Sequence, residues 1–263
     1  MMSRSFLSNL GKWVFGGAAI VLGVIGFAYG DFATPWQRVA ATVPHRHMLA
    51  FVAAACEILG GAGILWRRTA RAGAALLAIL YGIFVLSWLG QVVEAPMVYD
   101  SWGNVFEELS LVIAALVVLA SVSPRDSAWA RSEDAISRVY GVCAISFATV
   151  HFVYLRGAAS WVPAWIPFGQ IFWAVATGVC FLAAAGAILS GVLAGLAARL
   201  LTAEIVGFEI LIWLPKLLAA PHDRFAWAGN GISLAMSGAA WVVADSIENR
   251  AKGRMPHEVR AIG

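Results

Sequence analysis

The sequence predicts an all-α integral membrane protein, eight transmembrane helices built as a tandem duplication of a four-helix bundle. Three observations carry this expectation. Apolar residues make up 61% of the 263 residues and charged residues only 13%, with a mean hydropathy of +0.80. That is more apolar side chain than a water-facing surface accommodates. Apolar runs long enough to cross about 30 Å of hydrocarbon recur along the chain; they are continuous rather than alternating, which selects helices over barrel strands. Finally, the chain contains itself twice. LSWLGQVVEAP at 86–96 and LIWLPKLLAAP at 211–221 agree at five of eleven positions, at a shift of 125. The same shift pairs Phe27 with Phe152, Tyr29 with Tyr154 and Trp36 with Trp161. Shifts of 124 and 126 pair Cys56 with Cys180 and Asn104 with Asn230. Matched Trp, Tyr, Cys, Asn and Pro in one order point to duplication rather than to the common Leu, Ala and Gly of apolar helices.

The expected spans lie near 12–30, 47–66, 70–94 and 104–122, then 136–156, 168–190, 194–219 and 226–246. The first follows Arg4 and Lys12 and ends in small residues near Gly30, as a secretory signal would; its counterpart near 136–156 is internal, so the first helix is expected to be retained. The second carries Glu57 near its centre. A basic turn, Arg67 to Arg71, leads into the third, and the fourth opens on Trp102, Asn104, Glu107 and Glu108. SPRDSAWARSEDA at 123–135 is the one polar stretch between the halves, too short and too charged to be a domain. The second set of four follows. The division is therefore a first repeat at 1–122, a cytoplasmic linker at 123–135, a diverged second repeat at 136–247 and a basic cytoplasmic tail at 248–263.

With the N-terminus in the cytoplasm, thirteen of the eighteen Lys and Arg fall on the cytoplasmic side. The positive-inside rule then places both termini inside, in a membrane expected to be the bacterial inner one. The basic residues are spread over short segments rather than gathered in a patch, so the net charge of +3 reflects topology and not nucleic-acid binding.

Ionisable groups at membrane depth are the sharpest functional signal, because an unpaired charge there costs several kcal/mol. Glu57, Glu107 and Glu108 are the candidate catalytic, proton-handling groups. Each has a plain alternative as a protonated carboxyl bonded to a neighbouring helix. Trp88, Trp102, Asn104, His151, Glu209, Trp213 and Lys216 are the candidate ligand-binding residues. Glu209, Trp213 and Lys216 are spaced i, i+4, i+7 and so share one face of a regular helix, as do Asn104 and Glu108. Eight of the twelve Trp fall in outer loops or outer helix halves. They form either an aromatic belt at the headgroups or the roof of an aromatic pocket.

Cys56, Cys143 and Cys180 lie in apolar helices with no Cys-x-x-Cys, which reads as small hydrophobes rather than dithiol chemistry. His45 and His47 have no carboxylate or Cys at ligand spacing, so no metal site is expected.

The stretch ACEILGGAGILWRRTARAGAALLAI resembles the signature of DoxX-like membrane proteins: an acidic residue (Glu57), small residues (Gly60, Gly61, Gly63), a basic turn with Thr69 and Arg71, and an Ala/Leu-rich helix at 72–79. Trp102, Gly103, Asn104, Glu107 and Glu108 are similar to the family's fourth-helix opening. VHFVYL, with His151 and Phe152, is similar to a His-Phe pair of some members. The usual family unit is one four-helix domain, so two would be fused here. The second half departs from the pattern, with Phe181 where Glu57 stands and Ser233 and Leu234 in place of Glu107 and Glu108. The resemblance implies a subunit of a quinone-linked membrane redox system, with a quinone as ligand and a redox partner protein. No cofactor is evident from the residues themselves. They leave open a binding or transport protein for a small apolar molecule, or a non-catalytic structural subunit of a membrane complex, and do not decide whether the chain is an enzyme.

Overall fold

The computed structural model describes residues 10–254, and every regular element in it is helical. The elements are α1 (Leu10–Tyr29), α2 (Arg46–Leu65), α3 (Ala70–Glu94), α4 (Tyr99–Ser121), α5 (Ala128–Val153), α6 (Leu155–Trp161), α7 (Gln170–Ser190), α8 (Ala194–Phe208), a π-helical turn (Glu209–Trp213), α9 (Leu214–Ala219) and α10 (Arg224–Arg254). The expected features at 1–9 and 255–263, including Arg4 and the end of the basic tail, lie outside the described residues.

Six helices, α1 to α5 and α7, are long and apolar enough to cross a membrane. Their outward faces carry large exposed apolar side chains such as Leu59, Ile79, Leu86 and Leu182. A surface of that kind needs lipid as its solvent, and the chain is an integral membrane protein.

The count of six, against eight expected, has two physical causes. The run 194–219 is not one helix, because the backbone widens into a π-turn at Glu209–Trp213, between α8 and α9. The run 226–246 is helical within α10, but Asn230, Ser233, Ser237 and several glycines dilute its apolarity. Helix α10 tolerates them because it is central: most of its residues are buried against other helices, so it needs no lipid-facing stripe. The linker also shrinks. Ser127 Oγ accepts the Ala130 N–H at 3.2 Å and caps α5 eight residues before the expected start.

Each helix packs on its neighbours in the chain, and α10 closes the set by packing on α1. Helices α4 and α10 also touch each other across the middle. They divide the interior into two lobes. One is enclosed by α1, α2 and α3, the other by α5, α7 and α8, and both share the α4/α10 wall. Close approach depends on glycine. A Cβ at Gly238 would stand 2.5 Å from the Phe15 backbone N, and one at Gly61 2.5 Å from the Gly16 carbonyl. Bare backbone at these crossings is how helices associate where the surroundings are as apolar as the side chains.

Both ends of the bundle are tied between halves. At one end, Asp31 pairs with Arg46 and with Arg224 (2.7 Å), which also donates to the Phe32 carbonyl. Burial works to raise the Asp31 carboxyl, but the Phe32 N–H and the two guanidiniums outweigh it and hold it below its usual range. At the other end, Asp245 accepts the Gly11 N–H (3.0 Å) and Arg199 (2.7 Å), and Ser246 donates to Glu133.

Candidate functional site

The two lobes differ in what fills them. In the first, the segment after α1 turns down into the bundle and buries Phe32, Ala33, Trp36 and Gln37. Polar contacts pin it there. Gln37 Oε1 accepts the Ala33 N–H at 3.0 Å, and Gln37 Nε2 donates to Glu57 Oε1 at 2.5 Å. The Trp88 indole donates to the Trp36 carbonyl at 2.7 Å, and the Arg38 guanidinium lies 5.3 Å from the Trp88 ring centre. Phe32 meets Phe84 edge-on. The lobe is plugged by its own loop.

In the second lobe the corresponding segment coils into α6 instead, and only Ala159 of that helix is buried. Trp161 and Val162 stand 125 residues after Trp36 and Gln37, and Phe181 stands 124 after Glu57. The Gln–Glu clamp is thus replaced by Val and Phe, and no polar group draws the segment inward. A cavity of about 430 Å³ is left between α4, α5, α7, α8 and α10. Its walls are mostly rings and aliphatic groups: Trp36, Phe147, Tyr154, Trp161, Phe181, Phe208, Trp213, Ile205, Ile232 and Met236. Trp213 packs directly on Gly229, where any side chain would collide with the indole.

A few polar groups face this cavity. Asp100 and Glu107 enter from α4, His151 from α5, Thr177 from α7 and Ser233 from α10. Trp36 lines this cavity beside Glu107 and packs on Trp213 and Phe225, so the loop that plugs the first lobe also furnishes the second. His151 Nδ1 lies 2.8 Å from the Phe147 carbonyl. A carbonyl only accepts, so Nδ1 carries the hydrogen and Nε2 of the neutral ring is an acceptor. The Phe181 and Phe208 rings pack on the imidazole at 5.4 and 5.9 Å.

The expected site residues therefore separate. Glu107, His151 and Trp213 line the cavity. Glu57 and Glu108 do not; they are buried in the first lobe at 2% and 1% exposure, in electrostatic range of each other and of Tyr81. Both Glu108 oxygens and the Tyr81 hydroxyl lack a hydrogen-bond partner among the described residues. Consecutive residues of α4 thus serve opposite lobes.

Trp88 belongs to the plugged lobe. Trp102 donates to the Pro96 carbonyl at 3.0 Å and Asn104 to the Asp100 carbonyl at 2.8 Å, both closing the start of α4. Trp227 makes the same bond to Pro221 at 2.8 Å. These equivalent bonds stand at a shift of 125, which aligns Glu108 with Ser233 and Glu107 with Ile232, one residue away from the alignment expected on sequence. Glu209, Trp213 and Lys216 all turn toward α10, across the π-turn at Glu209–Trp213. Asn230 Nδ2 donates to Glu209 at 2.6 Å, and Trp213 packs on Gly229. Lys216 lies over the rings of Trp161, Phe225 and Trp213, at 4.1, 4.8 and 5.6 Å.

Asp100, Phe181, Ser233 and the wall role of Trp36 were absent from the expected site. The repeat held the signal, since Trp36 and Trp161 match and Gln37 and Val162 do not.

Other expected features are structural or peripheral. Gly60, Gly61 and Gly63 are contact points of α2 with α3 and α1, and Thr69 Oγ1 caps the turn through the Gly63 carbonyl. Cys143 is buried and Cys56 half-buried, but Cys180 lies on the outer surface of α7, so it is not a core residue. His47 Nδ1 is 2.9 Å from the Gly30 carbonyl. A second cavity, about 600 Å³ between α2, α3 and the loop after α1, has the buried Phe32, Leu80 and Phe84 at its floor and the outward-facing Val52, Ile79 and Ile83 at its rim.

No protein-family model, no curated protein and no solved structure matches this chain.

Proposed function

We propose that the chain is an eight-span membrane protein of two fused, diverged four-helix units, in which the second unit binds a small, predominantly apolar molecule at membrane depth. On this reading α8, the π-turn and α9 cross as one broken span, and α10 crosses inside the bundle. Both termini lie in the cytoplasm and the membrane is a bacterial inner one, as the distribution of Lys and Arg favours. The reciprocal packing of α1 on α10 and α4 on α5 supports duplication, since exchanging the halves reproduces it. A DoxX-like affiliation, carried by Glu57, the glycines of α2 and the α4 opening, belongs to the same proposal.

One observation carries the binding reading: an aromatic cavity of about 430 Å³ whose counterpart in the other lobe is plugged. The volume and the mix of apolar walls with a few convergent polar groups are those of small-molecule sites. A second reading, a quinol site in a redox system, draws on Glu107 and His151 as two acceptors for hydroxyl protons, with a partner protein taking the electrons.

Solvent extraction of the purified protein followed by mass spectrometry tests both. The binding reading expects a small organic molecule retained by the native chain and lost from Ala158→Trp, which fills the cavity. A retained quinone favours the second reading. No retained molecule and no saturable binding of any apolar probe overturns both.

A further inference from the structure

The polar groups around the second-lobe cavity are not balanced. Among the described residues that line it, Asp100 and Glu107 are carboxyls, His151 presents an acceptor nitrogen, and none is Lys or Arg. Among the described residues no Lys or Arg forms an ion pair with Glu107. A carboxylate in low dielectric with no cation beside it is costly, and a ligand that brings a positive charge removes that cost. The walls point the same way. Trp161 and Trp213 line the cavity and already attract a cation, because the Lys216 ammonium lies over both and over Phe225. Aromatic faces grouped in this manner bind quaternary and protonated amines. An anionic ligand would meet two carboxyls, and a neutral one would leave Glu107 without a counter-ion.

We infer that the ligand of this cavity is a lipophilic organic cation, an amine or quaternary ammonium carried on an apolar body, with Glu107 as its counter-ion and Trp36, Trp161 and Trp213 as its walls. This rests on the proposed binding role of the second lobe. Lys216 lies over the Trp161 and Trp213 rings of this wall, and it repels a cationic guest while attracting an anionic one.

Three probes of similar size separate the possibilities: benzyltrimethylammonium, its uncharged isostere neopentylbenzene, and 4-phenylbutyrate. Binding to the full-length protein in detergent is read by tryptophan fluorescence. The cation is expected to bind about tenfold or more tighter than the isostere, and the anion weakest. Glu107→Gln, which keeps the side chain's size and polarity, removes most of that preference. Lys216→Met strengthens cation binding by about threefold or more through loss of like-charge repulsion. Saturable binding of neopentylbenzene as tight as the cation's overturns the cation inference and leaves the cavity reading standing. Preference for 4-phenylbutyrate, with weakening by Lys216→Met, overturns it in favour of an anion. Failure of all three probes to bind overturns the cavity reading itself.

Discussion

Gln37 and Glu57 show how one side-chain pair decides whether a lobe is full. Gln37 is satisfied twice, by the Ala33 N–H and by Glu57, and through these bonds it holds an otherwise polar backbone segment inside the bundle. Glu57→Gln keeps an acceptor for Gln37 and is expected to lower the melting temperature little. Glu57→Leu strands the Gln37 amide and is expected to cost about 1–3 kcal/mol, read as a clear fall in thermal stability. Glu57→Gln keeps the clamp and with it Trp36 in the cavity wall, so retention of a bound molecule by this variant is expected to match the native chain; its loss would return Glu57 to the functional residues. Asp31 gives a pH dependence. Its folded-state carboxyl is held below its ordinary value of 3.8, so its contribution is full above that value and is lost as pH falls through the lower folded value. Arg224→Met, which leaves the Phe32 N–H and Arg46 in place, is expected to reduce that acid-dependent loss in a melting series below pH 4. An unchanged acid limb would remove Asp31 from the account. At this scale the sequence was only partly legible. Glu57 and Glu107 were visible as costly intramembrane groups, but which lobe each serves depends on a rotation of about 100° between adjacent helical residues, and a linear reading of Glu107 and Glu108 does not carry it.

Helices report their neighbours through glycine. Gly238 and Gly82 are both mid-helix, yet a Cβ at Gly238 stands 2.5 Å from Phe15 and one at Gly82 meets nothing within 4 Å. Gly238→Ala is expected to destabilise by about 1–3 kcal/mol through overpacking, and Gly82→Ala to be neutral or stabilising by up to about 1 kcal/mol through helix propensity. Equal melting temperatures for the two variants would contradict the packing described. The element-level differences have local causes. The π-turn at Glu209–Trp213 inserts a wider turn into an uninterrupted apolar run, and hydropathy does not respond to such a change of winding. The early start of α5 comes from the Ser127 cap inside a segment whose charge reads as linker. Most other helix ends lie within a few residues of their expected places, because apolar length itself sets them.

For the whole molecule, duplication and asymmetry act together. Two similar units share the α4/α10 wall. One interior is stabilised by a loop held with polar clamps, and the other, lacking them, is left open. The repeat made the comparison readable in sequence, since Trp36 and Trp161 coincide while Gln37 and Glu57 face Val162 and Phe181. What the sequence could not show was that Trp36 reaches across to the other lobe, a contact that depends on how the halves pack. Topology follows from the same arrangement. Reporter fusions at positions 68 and 125 are expected to read cytoplasm, and those at 40 and 98 the opposite side. A cytoplasmic signal at 98 would break the eight-span reading.

The second lobe holds a ligand-sized void at the α4/α10 wall, whereas the first lobe is filled there by the segment that buries Phe32, Trp36 and Gln37. Thermal melting of the full-length protein with rising neopentylbenzene reads that void, beside Ala158→Trp and a first-lobe control, Ile83→Trp, on the exposed rim of the α2–α3 cavity. A ligand at a hundredfold excess over its Kd stabilises by about 2.7 kcal/mol. A saturable rise in melting temperature is expected for the native chain and for Ile83→Trp, and none for Ala158→Trp. An equal rise in Ala158→Trp would contradict it.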